Sequence, residues 1–375
     1  MLVRSLQETI TKSFGLGKVI VVIGARQVGK TTLLHQFVDA STSKTLWINC
    51  DLQEMRNLFS NPILGNLQLL VADNEIVVID EAQRIENIGL ILKILVENFP
   101  KVQFLVTGSS SLDLHNYLDE PLTGRKAQYQ LYPISTAEIY ANKGLLEVQQ
   151  TIEKRLIYGS YPDILYGKMP PQDTLSWLTE NYLFKDVLEV EGIRKSTIMQ
   201  KLVIALATQI GSEVSYNELS KILQIDSKTV EKYIDLLEKC FIVFRLNSFS
   251  RNIRSELNKS KKIYFYDVGI RNAVLNNFSP LELRGDKGAL WENFFIVERM
   301  KQNQYAGRRV RSYFWRTTDR QEIDYVEEEN GEIRLFEMKW NEHQKVRFPN
   351  SFIQAYHPAT QHIVTPSNYY SILLQ

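Results

Sequence analysis

The chain has 375 residues, with 44 Lys and Arg against 43 Asp and Glu, a formal net charge of +1 at pH 7. That length exceeds one ordinary hydrophobic core and points to roughly two to four domains. A balance so near zero excludes a globally basic nucleic-acid footprint, so any such binding must come from local patches.

Two cysteines, Cys50 and Cys240, lie in apolar stretches. They exclude a disulfide framework and a cysteine-based metal site, and fit a reducing cytoplasm. The N-terminal "MLVRSLQETITKSF" lacks the apolar core of a signal peptide. Runs such as "KVIVVIGA" and "EIVVIDEA" are far too short to cross a bilayer. The expectation is a soluble cytoplasmic protein with no membrane partner.

"KVIVVIGARQVGKTTLLHQFVDA" (18–40) reads as a buried β-branched strand, a glycine-containing loop and a helix. Gly24 to Thr31 spells G-x-x-x-x-G-K-T, in which glycines let backbone amides turn towards a polyanion at a helix N-terminus. Gly24, Gln27, Val28, Gly29, Lys30, Thr31 and Thr32 are the expected nucleotide-binding set. Lys30 reaches the β and γ phosphates of ATP, and the Thr31 hydroxyl joins the Mg²⁺ shell. A second strand, "EIVVIDEAQ" (75–83), ends in Asp80, suited to the magnesium shell, and Glu81, suited to orienting the attacking water.

Strand candidates "KTLWINCD" (44–51) and "VQFLVTGSSS" (102–111) complete the arrangement. The second puts Ser109 or Ser110 where a γ-phosphate sensor would stand, or where a serine would cap the helix of "SLDLHNYL". Arg125, in "LTGRKAQYQLYPIS", stands between a helix and a strand. AAA-type ATPases place there the arginine finger that reaches a neighbour's γ-phosphate; a surface salt bridge is the plainer alternative. Residues 134–196 read as a helical lid, in which Tyr161 and Pro162 of "YGSYPDILYG" either touch adenine or simply break a helix.

"LVIALATQIG", "VSYNELSKIL" and "IDSKTVEKYIDLLEKCFIVFRL" give three short helices running into a strand. Ser215 with Glu218 has capping-box spacing, and Asp226 is an N-cap candidate. This is the pattern of a winged helix-turn-helix. Its reading face would be Ser227, Lys228, Glu231 and Lys232, and its wing "RNIRSELNKSKK" would set Arg251, Arg254, Lys259, Lys261 and Lys262 against phosphates. Winged helices also serve as protein-binding modules, which leaves both readings open.

The run "QEIDYVEEENGEIRLFEMKW" (321–340) carries Asn330-Gly331, a strong hairpin signal. A two-residue turn there pairs Tyr325 with Phe336, Ile323 with Met338, Val326 with Leu335, Asp324 with Glu337 and Glu322 with Lys339. Two facing carboxylates repel, and folding alone does not ask for them. A divalent cation does, making Asp324 and Glu337 candidate metal ligands and Lys339 a candidate catalytic cation. A Glu322–Lys339 ion pair is the simpler reading of part of the pattern. The hairpin with its E-x-K resembles the signature of restriction-endonuclease-like nucleases, which implies an acidic residue on the domain's first helix. "GALWENFFIVERM" supplies Glu292, with Glu298 as second choice. Arg308, Arg309, Arg311 and Arg316 form a candidate backbone-binding edge.

Taken in order, "GARQVGKTTL", "VVIDEAQ", "LVTGSSS", "LTGR", "GSYP", "KKIYFYDVGIR", "LWENF", "FWR", "EIDYV" and "FEMKW" resemble bacterial and archaeal AAA-type, STAND-related ATPases with a C-terminal winged helix and restriction-endonuclease-like domain. The resemblance implies an α/β fold: a P-loop NTPase parallel sheet of the ASCE/AAA type (1–133), a helical lid (134–196), a winged helix (197–272) and a nuclease-like α/β domain (273–375). It implies an ATP-hydrolysing enzyme that binds and remodels or translocates DNA, with a nuclease-like domain that cuts or grips it. Glu81, Lys30, Arg125, Asp324, Glu337, Lys339 and Glu292 would be catalytic, and Thr31, Asp80, Asp324 and Glu337 metal ligands. Ser109 and Pro162 would join the nucleotide site. The implied cofactors are ATP and Mg²⁺. The implied partners are DNA, duplex or branched, and further copies of the chain in a homo-oligomer such as a hexameric ring. Serines at the sensor strand depart from the usual Asn or Thr, and no clear second-sensor arginine stands in the lid. A nucleotide-gated signalling switch with a non-cutting nuclease fold is the alternative.

Overall fold

A computed structural model of the chain describes residues 2–109, 122–180, 196–250 and 261–375. It divides into two compact units, Met1–Pro133 and, from Ile134 onward, most of the remainder.

In the first unit, β1 (Val19–Ile23), β2 (Thr45–Asn49), β3 (Ile76–Asp80), β4 (Gln103–Gly108) and β5 (Lys126–Gln130) form one sheet in the order β2-β3-β4-β1-β5. Every pairing is parallel. β1, β3 and β4 are buried along their whole length, as the apolar runs at their centres require of strands covered on both faces. Each fully buried Val or Ile contributes about 1.5–3 kcal/mol. The order places β4 between the strand that precedes the phosphate loop and the strand that ends in Asp80. Three strand ends therefore converge at the carboxyl edge of the sheet, where α/β sheets hold ligands.

The second unit opens with helices Thr136–Lys143, Leu145–Tyr158, Pro162–Tyr166 and Pro171–Leu178. The first starts with a complete capping box between Ser135 and Glu138. Helices Ser196–Thr208, Tyr216–Leu223 and Ser227–Lys239 follow; Ser215 caps the second, and Asp226 accepts from the Thr229 amide at 2.9 Å, as the sequence suggests. A seven-stranded sheet comes next: β6 (Glu213–Val214), β7 (Val243–Ser248), β8 (Lys261–Phe265), β9 (Arg311–Arg316), β10 (Glu322–Glu329), β11 (Glu332–Met338) and β12 (Thr360–Val364). Its order is β12-β11-β10-β9-β7-β8-β6. The strands after the three short helices and the Asn330-Gly331 hairpin are thus joined edge to edge, through the parallel β7–β9 pair.

Helix Lys287–Tyr305 is tied to the first helices of this unit by buried charge. Glu298 meets Arg155 at 3.0 Å and Lys301 at 2.7 Å and accepts from the Thr136 amide at 2.6 Å. Burial pushes the Glu298 carboxyl up, but Lys301 and Arg155 outweigh it and hold its pKa at about 2. The quoted motifs "GSYP" and "YDVGIR" interlock beside this network. Asp267 caps its own helix at the Gly269 amide (2.8 Å) and accepts from the Ser160 amide (2.7 Å), so that a Cβ at Gly159 would sit 1.8 Å from its Oδ1.

Candidate functional site

The phosphate loop follows β1 and ends at Gly29, whose φ of 95° lies in the left-handed region that glycine tolerates. Helix Lys30–Asp39 begins there, its first-turn amides facing the loop. Lys30 is buried, and its Nζ donates to Gly24 O at 3.0 Å and Ala25 O at 2.9 Å. The ammonium is thus held over the loop by neutral carbonyls that a phosphate can replace. Gln27 has a φ of 60°, and its Oε1 is buried without a hydrogen-bond partner. Val28 is buried, and Thr32 is exposed on the first helical turn.

Asp80 ends β3 and meets Thr31 Oγ1, which donates to its Oδ2 at 3.0 Å. Thr107, from β4, donates to Asp80 Oδ1 and accepts the Glu81 amide at 2.9 Å. Burial pushes the Asp80 carboxyl above its ordinary range, and the two threonine hydroxyls pull against that shift. Glu81 takes φ 54° and opens a short 3-10 turn, which turns its side chain off the strand line. Gln83 Nε2 donates to Glu81 Oε2 at 2.5 Å and to Ser109 Oγ at 2.8 Å. A hydroxyl and a carboxylate side by side at the first helical turn suit Mg²⁺, which favours hard oxygen ligands. Thr31 and Asp80 would hold the ion, which would supply positive charge to the phosphates of a bound nucleotide. Ser110 lies outside the described residues. Thr107 stands at the carboxyl edge that its strand pattern places near a γ-phosphate, but its bond to Asp80 and the role of Gln83 carry no mark in the sequence, since a polar residue ending a strand is common.

Arg125 directly precedes β5 and pairs with Glu97 at 2.8 Å, both side chains partly exposed. Val19 pairs with Lys126, so Arg125 lies at the amino edge of the sheet, about 16 Å of strand from the phosphate loop at ~3.3 Å per residue. Pro162 belongs to the second unit and occupies the first turn of its helix; Tyr161 before it is buried.

In the second unit the Asn330-Gly331 turn takes φ 53° and 87°, the left-handed pair of a type I′ hairpin. Tyr325 pairs with Phe336 and Val326 with Leu335, in the expected register. Below Tyr325 the expectation changes. A bulge between Ile323 and Val326 relative to β9 turns Ile323 into the same cluster as Val326, Leu335 and Phe352, away from Met338. Asp324 swings towards β11, accepting from the Met338 amide at 2.9 Å.

Lys339 therefore pairs with Glu337 at 2.9 Å and Asp324 at 3.3 Å, and not with Glu322. Glu322 is met instead by Lys262 at 2.7 Å, whose Nζ also lies 3.1 Å from Glu292. Tyr264 donates to Glu292 at 2.5 Å. Lys262, expected on a phosphate-facing wing, is 2% exposed, so its charge serves these carboxylates. Of the other wing residues, Arg251, Arg254 and Lys259 lie outside the described residues, while Lys261 rests over the Tyr216 ring. Burial and then Asp324 push Glu337 up to about 7. Burial also raises Glu292 to about 7, against the pull of Lys262. Glu298, the second choice for this role, is committed to Arg155 and Lys301.

The expected metal pair Asp324 and Glu337 is thus bridged by an ammonium. Among the described residues no group of three or more His, Cys, Asp or Glu side chains is placed to hold a metal ion. Lys339 as placed supplies the positive charge that a divalent ion beside Asp324 and Glu337 would otherwise supply. Sequence reasoning also missed Glu327, fully buried against Arg299 at 2.5 Å.

A parallel sheet carrying this loop, this acid pair and a strand between them defines a P-loop nucleoside triphosphatase. Residues 16–140 match the model of the AAA domain. Residues 149–281 and 287–371 match two domains of unknown function, DUF8612 and DUF4143. An uncharacterized protein of Haemophilus influenzae is 24% identical over 357 residues, covering 86% of this chain and 84% of its own. An uncharacterized protein of Mycobacterium tuberculosis is 26% identical over 330 residues, covering 86% and 70%. Among solved structures, the Thermotoga maritima RuvB Holliday junction branch migration motor aligns at TM-score 0.32 and 15% identity, covering 64% of this chain and 89% of that one. A STAND protein of Pyrococcus horikoshii aligns at TM-score 0.31 and 13% identity, covering 82% and 47%. Among the described residues no helix is long and apolar enough to cross a membrane.

Proposed function

We propose that this chain is a Mg²⁺-dependent, ATP-hydrolysing AAA-type ATPase that acts as a homo-oligomer and uses its nucleotide cycle to change how the second unit grips duplex or branched DNA. The observation that carries the ATPase reading is the convergence of Lys30, Thr31, Asp80 and Glu81 at the carboxyl edge of one parallel sheet. Lys30 neutralises phosphate charge, the loop amides hold the phosphates, and Glu81 orients the attacking water and takes its proton. Gln83 holds Glu81 against Ser109, which supports a resting state in which the base is tied back until a γ-phosphate engages the serine.

Oligomerisation is supported by Arg125. It lies a strand length from its own loop, so as a finger it can serve only a neighbouring copy. Size measurement with ATP and the Glu81→Gln variant tests this; a strict monomer leaves Arg125 as a surface ion pair.

DNA contact is supported by exposed Lys228 and Lys232 on helix Ser227–Lys239, read as the second of a winged helix-turn-helix pair, and by exposed Arg309 and Arg311. The proposed functional divisions are 1–133, 134–196, 197–272 and 273–375, the last two sharing the seven-stranded sheet. For the acidic hairpin, the lysine-bridged carboxylates favour a nuclease-like fold that grips without cutting. The decisive experiment is the ATPase rate with and without duplex, single-stranded and junction DNA at low and high salt. Stimulation that fades steeply with salt is expected of phosphate contacts. A rate indifferent to every DNA turns the reading to a nucleotide-gated switch that recruits protein partners. Cleavage in Mn²⁺ that disappears in Asp324→Ala would overturn the non-cutting assignment.

A further inference from the structure

Arg4 precedes every motif of the nucleotide site, yet its side chain ends under the phosphate loop. It is 5% exposed. Its Nη1 donates to Val28 O at 2.7 Å and its Nη2 to Tyr132 O at 2.6 Å. The segment before it is fastened to the loop's own helix, where Gln36 Nε2 donates to Leu2 O at 3.0 Å. We propose that Arg4 is a positioning residue for nucleotide binding, holding the Val28–Gly29 peptide so that the Gly29 amide faces the phosphates.

The reason is the geometry of one peptide unit. A trans peptide is planar and carries its C=O and N–H in opposite directions. Drawing the Val28 carbonyl towards the guanidinium therefore turns the Gly29 N–H the other way, into the concavity above helix Lys30–Asp39. No cis peptide bond occurs among the described residues. A Cβ at Gly29 would lie 3.4 Å from Arg4 Nη1, an ordinary contact distance, which shows how near the guanidinium lies to this peptide. At the other end of the loop, Gly24 O and Ala25 O are taken by Lys30, which leaves them when a phosphate arrives. Arg4 holds a carbonyl on the far side of the loop from any phosphate, so its bond persists through the cycle.

The second arm of the fork carries a further consequence. Tyr132 is the last residue but one of the Met1–Pro133 stretch of the first unit, just past β5. One guanidinium thus spans the loop that binds phosphate and the stretch by which the chain leaves the sheet. The planar fork suits two carbonyls at fixed separation, which a lysine ammonium serves less well.

This rests on the phosphate-loop reading, and the test separates the two. ATP, ADP and AMP affinities are measured by competition with a fluorescent nucleotide for the wild type, Arg4→Ala, Arg4→Lys and Lys30→Ala, with melting curves alongside. Folded Arg4→Ala is expected to bind ATP and ADP about tenfold more weakly, the order found when a supporting partner of a ligating group is removed. AMP, which lacks the β-phosphate that this amide serves, should change little, and Arg4→Lys should fall between. ADP affinity equal to wild type in any folded Arg4 variant overturns the proposal, even if its melting temperature drops. An equal loss for AMP also overturns it, since that marks general damage. If Arg4→Ala does not fold, Arg4→Lys decides alone. Should the wild type bind no ADP, or Lys30→Ala bind it as well as wild type, the phosphate-loop reading fails first.

Discussion

The two carboxylate clusters of this protein answer the same electrostatic problem in opposite ways. At the phosphate loop, Asp80 is met by the hydroxyls of Thr31 and Thr107. The hydroxyls satisfy the lone pairs, and the buried Lys30 lowers the carboxyl's pKa less than either hydroxyl does, so a magnesium nucleotide would supply the main countercharge. At the hairpin, Asp324 and Glu337 share Lys339, while Glu292 and Glu322 share Lys262. There the balancing charge is built in. Burial opposes both ammonium ions, yet the surrounding carboxylates hold the pKa of Lys262 and of Lys339 above the ordinary lysine value. Two acidic sites that look alike as strings of letters therefore differ in whether an ammonium of the chain touches the carboxylates.

The sharpest way to break this contrast is kinetic. Glu81→Gln should lower ATP turnover about 10²–10⁴-fold, the usual worth of a general base, while nucleotide still binds. Glu337→Gln should leave DNA-free turnover unchanged. If the second variant matches the first in an ATPase assay, the hairpin belongs to the hydrolytic machinery and the contrast is lost.

The compensated carboxylates should reveal themselves in stability. Glu298→Gln strands two buried cations, Arg155 and Lys301, and should cost about 3–5 kcal/mol in chemical denaturation near neutral pH. Because the pKa of Glu298 falls from 4.5 to about 2 on folding, its contribution is present above 4.5. It is lost as pH falls from there through 2. The wild type should show that acid limb and Glu298→Gln should lack it. Equal limbs would mean that the charge at this position is not held by its partners.

Lys262→Met should likewise leave the buried Glu292 uncompensated, with Glu322 keeping Arg316 at 3.9 Å, costing about 3 kcal/mol, and Glu292→Gln in the same chain should return part of the loss. Additive losses would show that the two groups do not share charge. A Mn²⁺ titration sharpens the point: nucleotide-dependent binding should vanish in Asp80→Asn and persist in Asp324→Asn. A smaller effect is expected at Gly159→Ala, where the new methyl meets the Asp267 carboxylate and the interlocked motifs must shift, for about 1–3 kcal/mol of overpacking. Melting and ATPase assays on that variant separate stability from turnover, since the residue lies outside the nucleotide loop.

Much of this was written locally. The loop from Gly24 to Thr31, the acid pair after β3 and the caps at Ser215 and Asp226 are short-range patterns, set by backbone geometry within a few residues. The Asn330-Gly331 turn fixed the register from Tyr325 to Glu329 for the same reason. Below Tyr325 that logic failed, because the bulge is measured against β9, a strand that the hairpin pattern does not contain.

What only the tertiary structure decided are the partners brought in from far along the chain. Arg4 reaches Tyr132 across 128 positions, Lys262 reaches Glu292 across 30, and Arg155 reaches Glu298 from another helix. β4 enters between β1 and β3 although it follows both in sequence. A sequence lists which charges and hydroxyls exist; packing chooses which of them meet. The strength of a buried charge depends on that choice, because desolvation and a counter-ion a few ångströms away act with opposite sign on the same group.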